Sequence, residues 1–578
     1  MSSAKSALLT SIGRLAAPVA AVVASASFAL AQGAAPTPPT GAAPTLRLPS
    51  LGESASDEFS IGAEKRLGEQ IMRDIRRDPD YLDDPTLLDE LMSIWQPLVA
   101  AARARGDIGA DTERLFPYEA FLVRDRSVNA FALPGGYVGV HLGLIAMTAT
   151  RDELASVLAH ELSHITQRHI ARSIAASSRS STLGLAGMIL GLLAASRSGN
   201  ADVANAAIMG GQAAMVQAQL NFSRDMEREA DRSGFALMGQ AGFAPAGMAA
   251  MFDRLDVANR LNDNNGFPYL RSHPLTTERI GEARQRVGLV GSEGIEPTAA
   301  TPRPSVALAP TLGHALMQAR AKVLMDAGVS AWRRLQEADR SEAADALPAG
   351  GSAQATAFAA LYASALASTQ LRDFARGERA LARAELSIQR LRGGGNPAYP
   401  FASADLAQAQ RQLAELGVHM ALAANDSGRA QTLLTALTPD SSRSDLHLRA
   451  EVALAAGQPE ALRECSESLQ TWVSEHRRDS SGWLLLSRCA SRQGQPLRAL
   501  RAEAESQAAL DNLPGAIDRL RAGQQLARRG GANSDFIEAS VIDSRLRELL
   551  AQRRQLQQEA SPRRGASPAP DPQWQAHG

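Results

Sequence analysis

The chain has 578 residues, a formal net charge of −1 at pH 7 and 4% aromatic residues. A chain of this length exceeds what one hydrophobic core usually serves, so we expect at least two domains. The chain has no excess of positive charge that would indicate nucleic-acid binding, and we predict no nucleic-acid role. Alanine is abundant, which favours helices that pack through small residues.

Residues 1–31 have the pattern of a secretory signal peptide. Lys5 and Arg14 precede an apolar run that ends in the small-x-small site Ala29-Leu30-Ala31. We therefore predict cleavage after Ala31 and export to a periplasm. The alternative is a retained membrane anchor, but the run is short and Pro18 interrupts it. Residues 32–55 are rich in Pro, Ala, Gly and Thr, as in a flexible leader.

Residues 56–290 are predicted to form an α+β domain that is mostly helical. Apolar residues recur at helical spacing up to about Arg105, which indicates two helices. The segments Phe121-Leu122-Val123 and Tyr137-Val138-Gly139-Val140 have strand character. The turn Pro134-Gly135-Gly136 lies between them and favours a small antiparallel sheet. A helix over residues 154–170 follows.

Residues 180–196 carry no charge and are dominated by small and apolar residues. Seventeen residues with several glycines are marginal for a membrane span. We predict a buried or interfacial helix, which leaves peripheral contact with a membrane as an open alternative.

The carboxy-terminal half is predicted to be entirely helical. Prolines mark a linker over residues 291–312, helical hairpins fill 313–555, and 556–578 is predicted to be a disordered tail. Turns at Gly428, Gly457 and Gly494 lie near the 34-residue period of tetratricopeptide repeats. The alternative is a helical bundle without repeats.

The two cysteines of the chain, Cys465 and Cys489, both lie in this helical half. In an oxidising compartment they could pair across neighbouring helices. Two buried free thiols fit the sequence equally well.

The segment His160-Glu161-Leu162-Ser163-His164 is a complete H-E-x-x-H motif on the predicted helix. Residues four apart share one helical face, so His160 and His164 can both direct a nitrogen at one metal ion. Glu161 is then the expected general base, taking a proton from the attacking water and returning it to the leaving amine. This pattern is typical of a zinc hydrolase of the zincin type, with one Zn²⁺ per chain.

A zinc hydrolase needs a third protein ligand, and a downstream helical segment offers it. Glu227 and Asp231 are one turn apart on one face, so Glu227 could bind zinc while Asp231 orients a ligand histidine. Glu229 is a competing ligand that spacing alone does not exclude. His169 is predicted to be a surface or capping residue, whereas His141 could lie near the cleft or simply pack.

Four motifs, taken in order, resemble the HtpX and CaaX prenyl-protease type of zinc metallopeptidase over about residues 56–290. The motifs are Asn129-Ala130-Phe131 with Pro134-Gly135-Gly136, His160-Glu161-x-x-His164, Ser223-Arg224-x-x-Glu227-x-x-Ala230-Asp231, and His273-Pro274 with Arg279-Ile280. With its export signal and helical tail, the chain resembles the members of this family that act as periplasmic protease-chaperones in Gram-negative bacteria.

The resemblance implies that His160, His164 and Glu227 bind zinc and that Glu161 is the base. It further implies an edge strand, within residues 121–140, that pairs with an extended substrate. His273 would either occupy the open zinc position and keep the enzyme latent, or stabilise the transition state with Arg279 nearby.

The leading hypothesis is an exported zinc endopeptidase whose tetratricopeptide-like repeats recruit unfolded or stalled envelope proteins, beside the machinery that assembles outer-membrane proteins. The alternative is a chaperone or assembly scaffold with a latent or structural metal site. The intact Glu161 argues against that scaffold, because a structural site needs no base. Prenyl-protein processing is disfavoured, since the chain lacks convincing membrane spans.

Overall fold

The structure is a computed structural model that describes residues 59–176, 224–261, 267–292, 311–340, 350–392, 401–530 and 535–560. The predicted signal peptide, the predicted leader of residues 32–55 and the apolar segment 180–196 lie outside the described residues. Among the described residues, no helix combines the length and apolar character needed to cross a membrane.

The amino-terminal domain contains a four-stranded sheet in the order β1-β2-β4-β3. Its strands are β1 (Tyr81–Leu82), β2 (Glu119–Val123), β3 (Ala130–Leu133) and β4 (Tyr137–His141). The pairs β1–β2 and β3–β4 are antiparallel, whereas β2 and β4, which contain the two predicted strand segments, run parallel. The expected purely antiparallel sheet is therefore corrected to a mixed one.

The mixed topology follows from the turn between β3 and β4. Gly135 and Gly136 adopt φ values of 79° and 93°, which non-glycine residues rarely reach. At Gly136 a Cβ atom would also lie 2.7 Å from Cβ of Phe116. This tight hairpin returns β4 between β2 and β3, so β3 becomes an edge of the sheet.

The described residues of this domain also form ten helices. They are α1 (Ile61–Ile75), α2 (Pro85–Arg105), α3 (Ala110–Leu115), α4 (Leu142–Met147), α5 (Arg151–Thr166), α6 (His169–Ala176), α7 (Arg224–Gln240), α8 (Ala246–Leu261), α9 (Pro268–Ser272) and α10 (Thr277–Ser292). The predicted fold class, mostly helical α+β, is confirmed.

Helix α5 lies at the centre of the domain, and every residue from Glu153 to Ile165 is buried. It packs against α2, α7, α8 and β3. Its start is capped twice, because the Thr150 hydroxyl accepts from the Glu153 N–H at 3.2 Å and the Glu153 carboxylate accepts from the Ala149 N–H at 2.6 Å. A helix so capped and enclosed is a rigid support for the side chains it carries.

The carboxy-terminal half is an all-helical array. Its helices are α11 (Leu312–Leu324), α12 (Val329–Gln336), α13 (Gly351–Gln370), α14 (Phe374–Arg392), α15 (Ser403–Ala423), α16 (Ser427–Thr435), α17 (Arg443–Ala456), α18 (Pro459–Glu475), α19 (Ser480–Arg492), α20 (Pro496–Ala509), α21 (Leu513–Gly530) and α22 (Phe536–Ala560). From α13 onward, sequential helices pack together as hairpins.

The last helix extends past the start predicted for the tail at residue 556. Residues 551–560 are rich in Gln, Arg and Glu, which favour helix, and Pro562 is the first residue that disfavours its continuation. Helix α22 accordingly continues to Ala560.

Arginine–aspartate pairs join the helical array to the amino-terminal domain. Arg443 of α17 contacts Asp83 at 2.6 Å and Asp479 at 2.8 Å. Arg320 of α11 contacts Asp84 at 2.6 Å, where Asp84 also caps α2. The array therefore packs directly on the amino-terminal domain.

Candidate active site

The two motif histidines project from consecutive turns of α5 into one buried cluster. The Nε2 atoms of His160 and His164 lie 2.9 Å apart, and both side chains are almost fully buried. The i, i+4 spacing thus places both imidazoles on one face, as the sequence predicted.

Helix α7 brings the predicted third ligand to these histidines. Glu227 has Oε2 3.5 Å from Nε2 of His160 and Oε1 3.5 Å from Nε2 of His164. The two helices approach closely at Gly234, where a Cβ atom would lie 3.2 Å from the backbone of Ala159. Glu229, the competing ligand, instead contacts His169 and Arg172.

His273 completes the cluster from the end of α9. Its Nδ1 lies 3.0 Å from Oε1 of Glu227 and 3.4 Å from Nε2 of His160, and its Nε2 lies 3.5 Å from Oε1 of Glu161. One ligand atom from each of His160, His164, Glu227 and His273 lies within 4.8 Å of the others. The structure therefore gathers four side chains that can bind one metal ion.

Asp231 and Arg279 form the layer behind His160. Oδ1 of Asp231 lies 2.9 Å from Nδ1 of His160, and Arg279 donates to both oxygens of Asp231 at 2.7 and 2.8 Å. Arg279 also lies 2.9 Å from Oε2 of Glu227 and donates to the Pro274 carbonyl at 2.8 Å. Arg279 thus links Asp231, Glu227 and the loop after His273.

The buried carboxylates set the charge of the site. Burial alone would lower the pKa of His160, but hydrogen bonds and charge from Asp231 and Glu227 outweigh it and raise this pKa to about 10. Burial and the neighbouring His160 charge lower the pKa of His164. Burial opposes ionisation of Glu227, yet His273 and His160 hold its pKa well below the usual range.

Glu161 lies beside the ligand cluster and against the edge strand. Its Oε2 accepts a hydrogen bond from the Ala132 N–H at 2.9 Å. Its Oε1 is buried and has no hydrogen-bond partner among the described residues. Such an oxygen is available for a water molecule or for the proton of a reacting group.

His169 is not the surface or capping residue that the sequence suggested. It is fully buried, with Nδ1 2.8 Å from Nδ1 of His164 and Nε2 3.1 Å from Oε2 of Glu229. The prediction was wrong because it continued one helix through residue 170. Helix α5 ends at Thr166, and Arg168 turns the chain at a φ of 52° before α6 begins.

His141 is buried away from the ligand cluster, which resolves the two alternatives for this residue. Its Nδ1 lies 2.9 Å from the Ser127 hydroxyl, and its ring packs edge-on against Phe131. Burial lowers its pKa to about 4. His141, the last residue of β4, therefore packs against Ser127 and Phe131.

The donor set fits a zinc ion. Imidazole nitrogens and a carboxylate are ligands that zinc commonly takes in proteins, and the layer of carboxylates behind the histidines is typical of such sites. The buried, unpartnered Oε1 of Glu161 adds an acceptor at the place where a base is needed.

Residues 96–287 match the family model of Peptidase family M48. This segment is a family M48 peptidase domain. It contains every residue of the cluster described above, and the predicted resemblance to this type of metallopeptidase is confirmed. The match does not extend into the helical array.

Three relatives illustrate the similarity of the chain to known proteins. Beta-barrel assembly-enhancing protease of Escherichia coli K12 is 34% identical over 239 residues, covering 41% of this chain and 47% of its own. A Vibrio cholerae counterpart is 35% identical over 297 residues, covering 51% and 56%. Mitochondrial metalloendopeptidase OMA1 of Schizosaccharomyces pombe is 36% identical over 230 residues, covering 39% and 61%. The chain thus spans about half the length of the first two relatives.

Proposed function

We propose that the chain is a zinc-dependent endopeptidase whose metal ligands are His160, His164 and Glu227. The observation that carries the proposal is the buried cluster beside Oε1 of Glu161, an oxygen that makes no hydrogen bond among the described residues. A structural metal site needs ligands alone, whereas a hydrolytic site also needs a base within reach of the reacting water.

The residues around the cluster have separate tasks in peptide hydrolysis. When bound, zinc would polarise the scissile carbonyl and make a water molecule more acidic. Glu161 takes the proton of the attacking water at Oε1 and delivers it to the leaving nitrogen, while the Ala132 N–H holds its Oε2. Asp231, fixed by Arg279, holds His160 through Nδ1 and leaves Nε2 directed at the metal.

His273 supports a latent state of this site. A catalytic zinc site keeps one position open, whereas four protein ligands close it. With Nδ1 near both Glu227 and His160, His273 is placed to act as a fourth ligand. We propose that it leaves this position when substrate binds and then lies near the developing charge, with Arg279 behind it.

The edge strand β3 supports the binding of extended peptide substrates. In the β3–β4 pair, Phe131 lies opposite Gly139 and Ala132 opposite Val138, and the Ala132 N–H donates away from β4 toward Glu161. An unfolded segment that adds to this edge by main-chain hydrogen bonds would pass in front of the base. This arrangement favours an endopeptidase that acts on extended chains regardless of their sequence.

For the whole chain we propose export to the periplasm and a role in the quality control or assembly of envelope proteins. The signal-peptide pattern of residues 1–31 supports export, and the name of the E. coli relative associates that protein with β-barrel assembly. The packed hairpins from α13 to α22 are the proposed tetratricopeptide-like surface that recruits unfolded or stalled substrates or the assembly machinery.

The test combines metal content with proteolysis of an unfolded protein such as casein. We expect about one zinc per chain and cleavage that falls roughly 10²–10⁴-fold in Glu161→Gln, while zinc content stays unchanged. Glu113→Gln, a surface change in the same domain, is the matched control and should cleave like the wild type.

An assembly scaffold with a structural metal site is the competing function. It predicts that Glu161→Gln keeps both zinc and full biological activity. That result, or a purified protein without zinc, would overturn the endopeptidase proposal.

A further inference from the structure

We infer that His169 and Glu229 form a positioning relay that fixes the orientation and tautomer of the metal ligand His164. The inference rests on the proposed metal site and assigns a task to two residues outside the ligand set. It starts from the short Nδ1–Nδ1 distance of 2.8 Å between His164 and His169.

Two imidazole nitrogens at this distance require one donor and one acceptor. Oε2 of Glu229 lies 3.1 Å from Nε2 of His169, and a carboxylate can only accept, so this nitrogen carries the proton. Nδ1 of His169 is then the acceptor, and His164 donates through its own Nδ1. The Nε2 of His164 keeps its lone pair and faces Glu227 and His160, where the metal ligands converge.

The outer end of the relay is held in place. Arg172, one turn along α6 from the corner, donates to Oε2 of Glu229 at 2.9 Å. The corner itself is fixed by Arg168, which donates to Glu64 at 3.0 Å and to the Phe59 carbonyl at 2.9 Å. The buried ring of His169 therefore has little freedom to turn away from His164.

Each ligand histidine thus has its own support ending in an arginine. His160 is held by Asp231 and Arg279, and His164 is held by His169, Glu229 and Arg172. The difference is chemical, because a full carboxylate touches His160 whereas a ring nitrogen touches His164. Partners of this kind commonly change metal affinity 10–100-fold when they are removed.

The relay is tested first by zinc affinity, measured by competition with a chelator of known affinity. We expect His169→Ala to weaken zinc binding about 10–100-fold and Glu229→Gln to weaken it less, since the amide oxygen still accepts. His169→Asn retains a side-chain acceptor and should restore part of the loss. Asp225→Asn, an exposed change on the same helix as Glu229, is the control and should bind zinc like the wild type.

The second measurement is nitrogen NMR of histidine-labelled protein without metal, which reports the tautomer of His164. We expect the proton on Nδ1 in the wild type and a loss of that preference in His169→Ala. If the wild type binds no zinc, the proposed function fails. The tautomer of His164 in the metal-free protein still shows whether the relay exists. A proton on Nε2 of His164, or unchanged zinc affinity in a folded His169→Ala protein, would overturn the inference.

Discussion

His273 and Glu227 are joined across the site, with Nδ1 of the histidine 3.0 Å from Oε1 of the carboxylate. The contact brings a residue from the end of α9 into the ligand cluster formed by α5 and α7. His273 thus reaches the cluster from the end of a short helix, whereas His160, His164 and Glu227 lie on the longer helices α5 and α7.

We expect His273→Ala to show whether His273 keeps the site closed or stabilises the transition state. If the histidine closes the site, its removal should raise the initial rate of cleavage of a short unstructured peptide several-fold, without loss of zinc. A rate that falls roughly 10²-fold would instead assign His273 to transition-state stabilisation. Initial rates at saturating and limiting peptide distinguish the two roles.

Asp231→Asn should weaken the metal site while leaving the general base intact. The amide can accept from His160 but no longer carries the charge that raises its pKa, and it also loses an ion pair to Arg279. We expect zinc affinity to fall about 10–100-fold. Activity measured with excess zinc should recover toward the wild-type value, and failure to recover would show that Asp231 acts in a later step.

Ala132→Pro should lower activity more than folding stability. The Ala132 N–H donates to Glu161 and not to β4, and proline is tolerated on edge strands where the missing N–H is not needed by the ladder. We expect a melting temperature within a few degrees of the wild type, normal zinc content and a large loss of casein cleavage. Full activity would show that cleavage needs neither the hold of the Ala132 N–H on Glu161 nor an unaltered β3 edge.

Glu90→Gln should stabilise the junction between α2 and α15 at neutral pH. Burial raises the pKa of Glu90, which accepts hydrogen bonds from Gln408 and Gln412, to about 7. A raised carboxyl pKa favours folding at low pH, and this contribution is lost as the pH rises from about 4.5 through 7. The variant should lose that dependence and gain of the order of 1–3 kcal/mol near pH 8.

Thermal unfolding from pH 5 to pH 8 checks this expectation. Burial also raises the pKa of Glu415, on the neighbouring face of α15, to about 7, so both proteins will show some dependence on pH. The difference between wild type and variant isolates Glu90. Identical curves would show that Glu90 is ionised and solvated in the folded protein.

Cys465 and Cys489 should form a disulfide when the purified protein is oxidised. Their Sγ atoms lie 3.8 Å apart on the adjacent helices α18 and α19. A bond needs about 2.05 Å, which a small rotation can supply. With oxidised glutathione as the acceptor of two electrons and two protons, mass spectrometry should show the loss of two hydrogens. Cys489→Ser is the control, and thiols that stay reduced would contradict the prediction.

The grouping of these side chains was predictable from the sequence because it depends on helical periodicity. His160 with His164, and Glu227 with Asp231, are each four residues apart, and a buried helix preserves that spacing in space. The position of His169 beside His164 was not predicted, because a two-residue break after Thr166 turns the chain. No residue pattern in the sequence indicates the positive φ of Arg168. Helical periodicity therefore predicts which residues share a face of one helix. It does not predict which residues come back to that face after a turn in the chain.

The order of strands in the sheet and the contacts between the two halves could not be predicted from the sequence. The strand character of residues 121–123 and 137–140 was evident in the sequence. The alternation of apolar and polar residues does not indicate which strand lies between two others, so the parallel β2–β4 pair was not expected. The pairing of Arg443 with Asp83 joins residues far apart in the chain, and nothing local distinguishes these charges from solvated ones. Such contacts depend on tertiary structure alone.

Arg76 links the sheet of the amino-terminal domain to the last hairpins of the helical array. This buried guanidinium holds Glu119 of β2 on one side and Asp511, between α20 and α21, on the other. A pull on the final hairpins would therefore be borne by the sheet that presents the β3 edge. The last helical hairpins and the β3 edge are in this way mechanically connected.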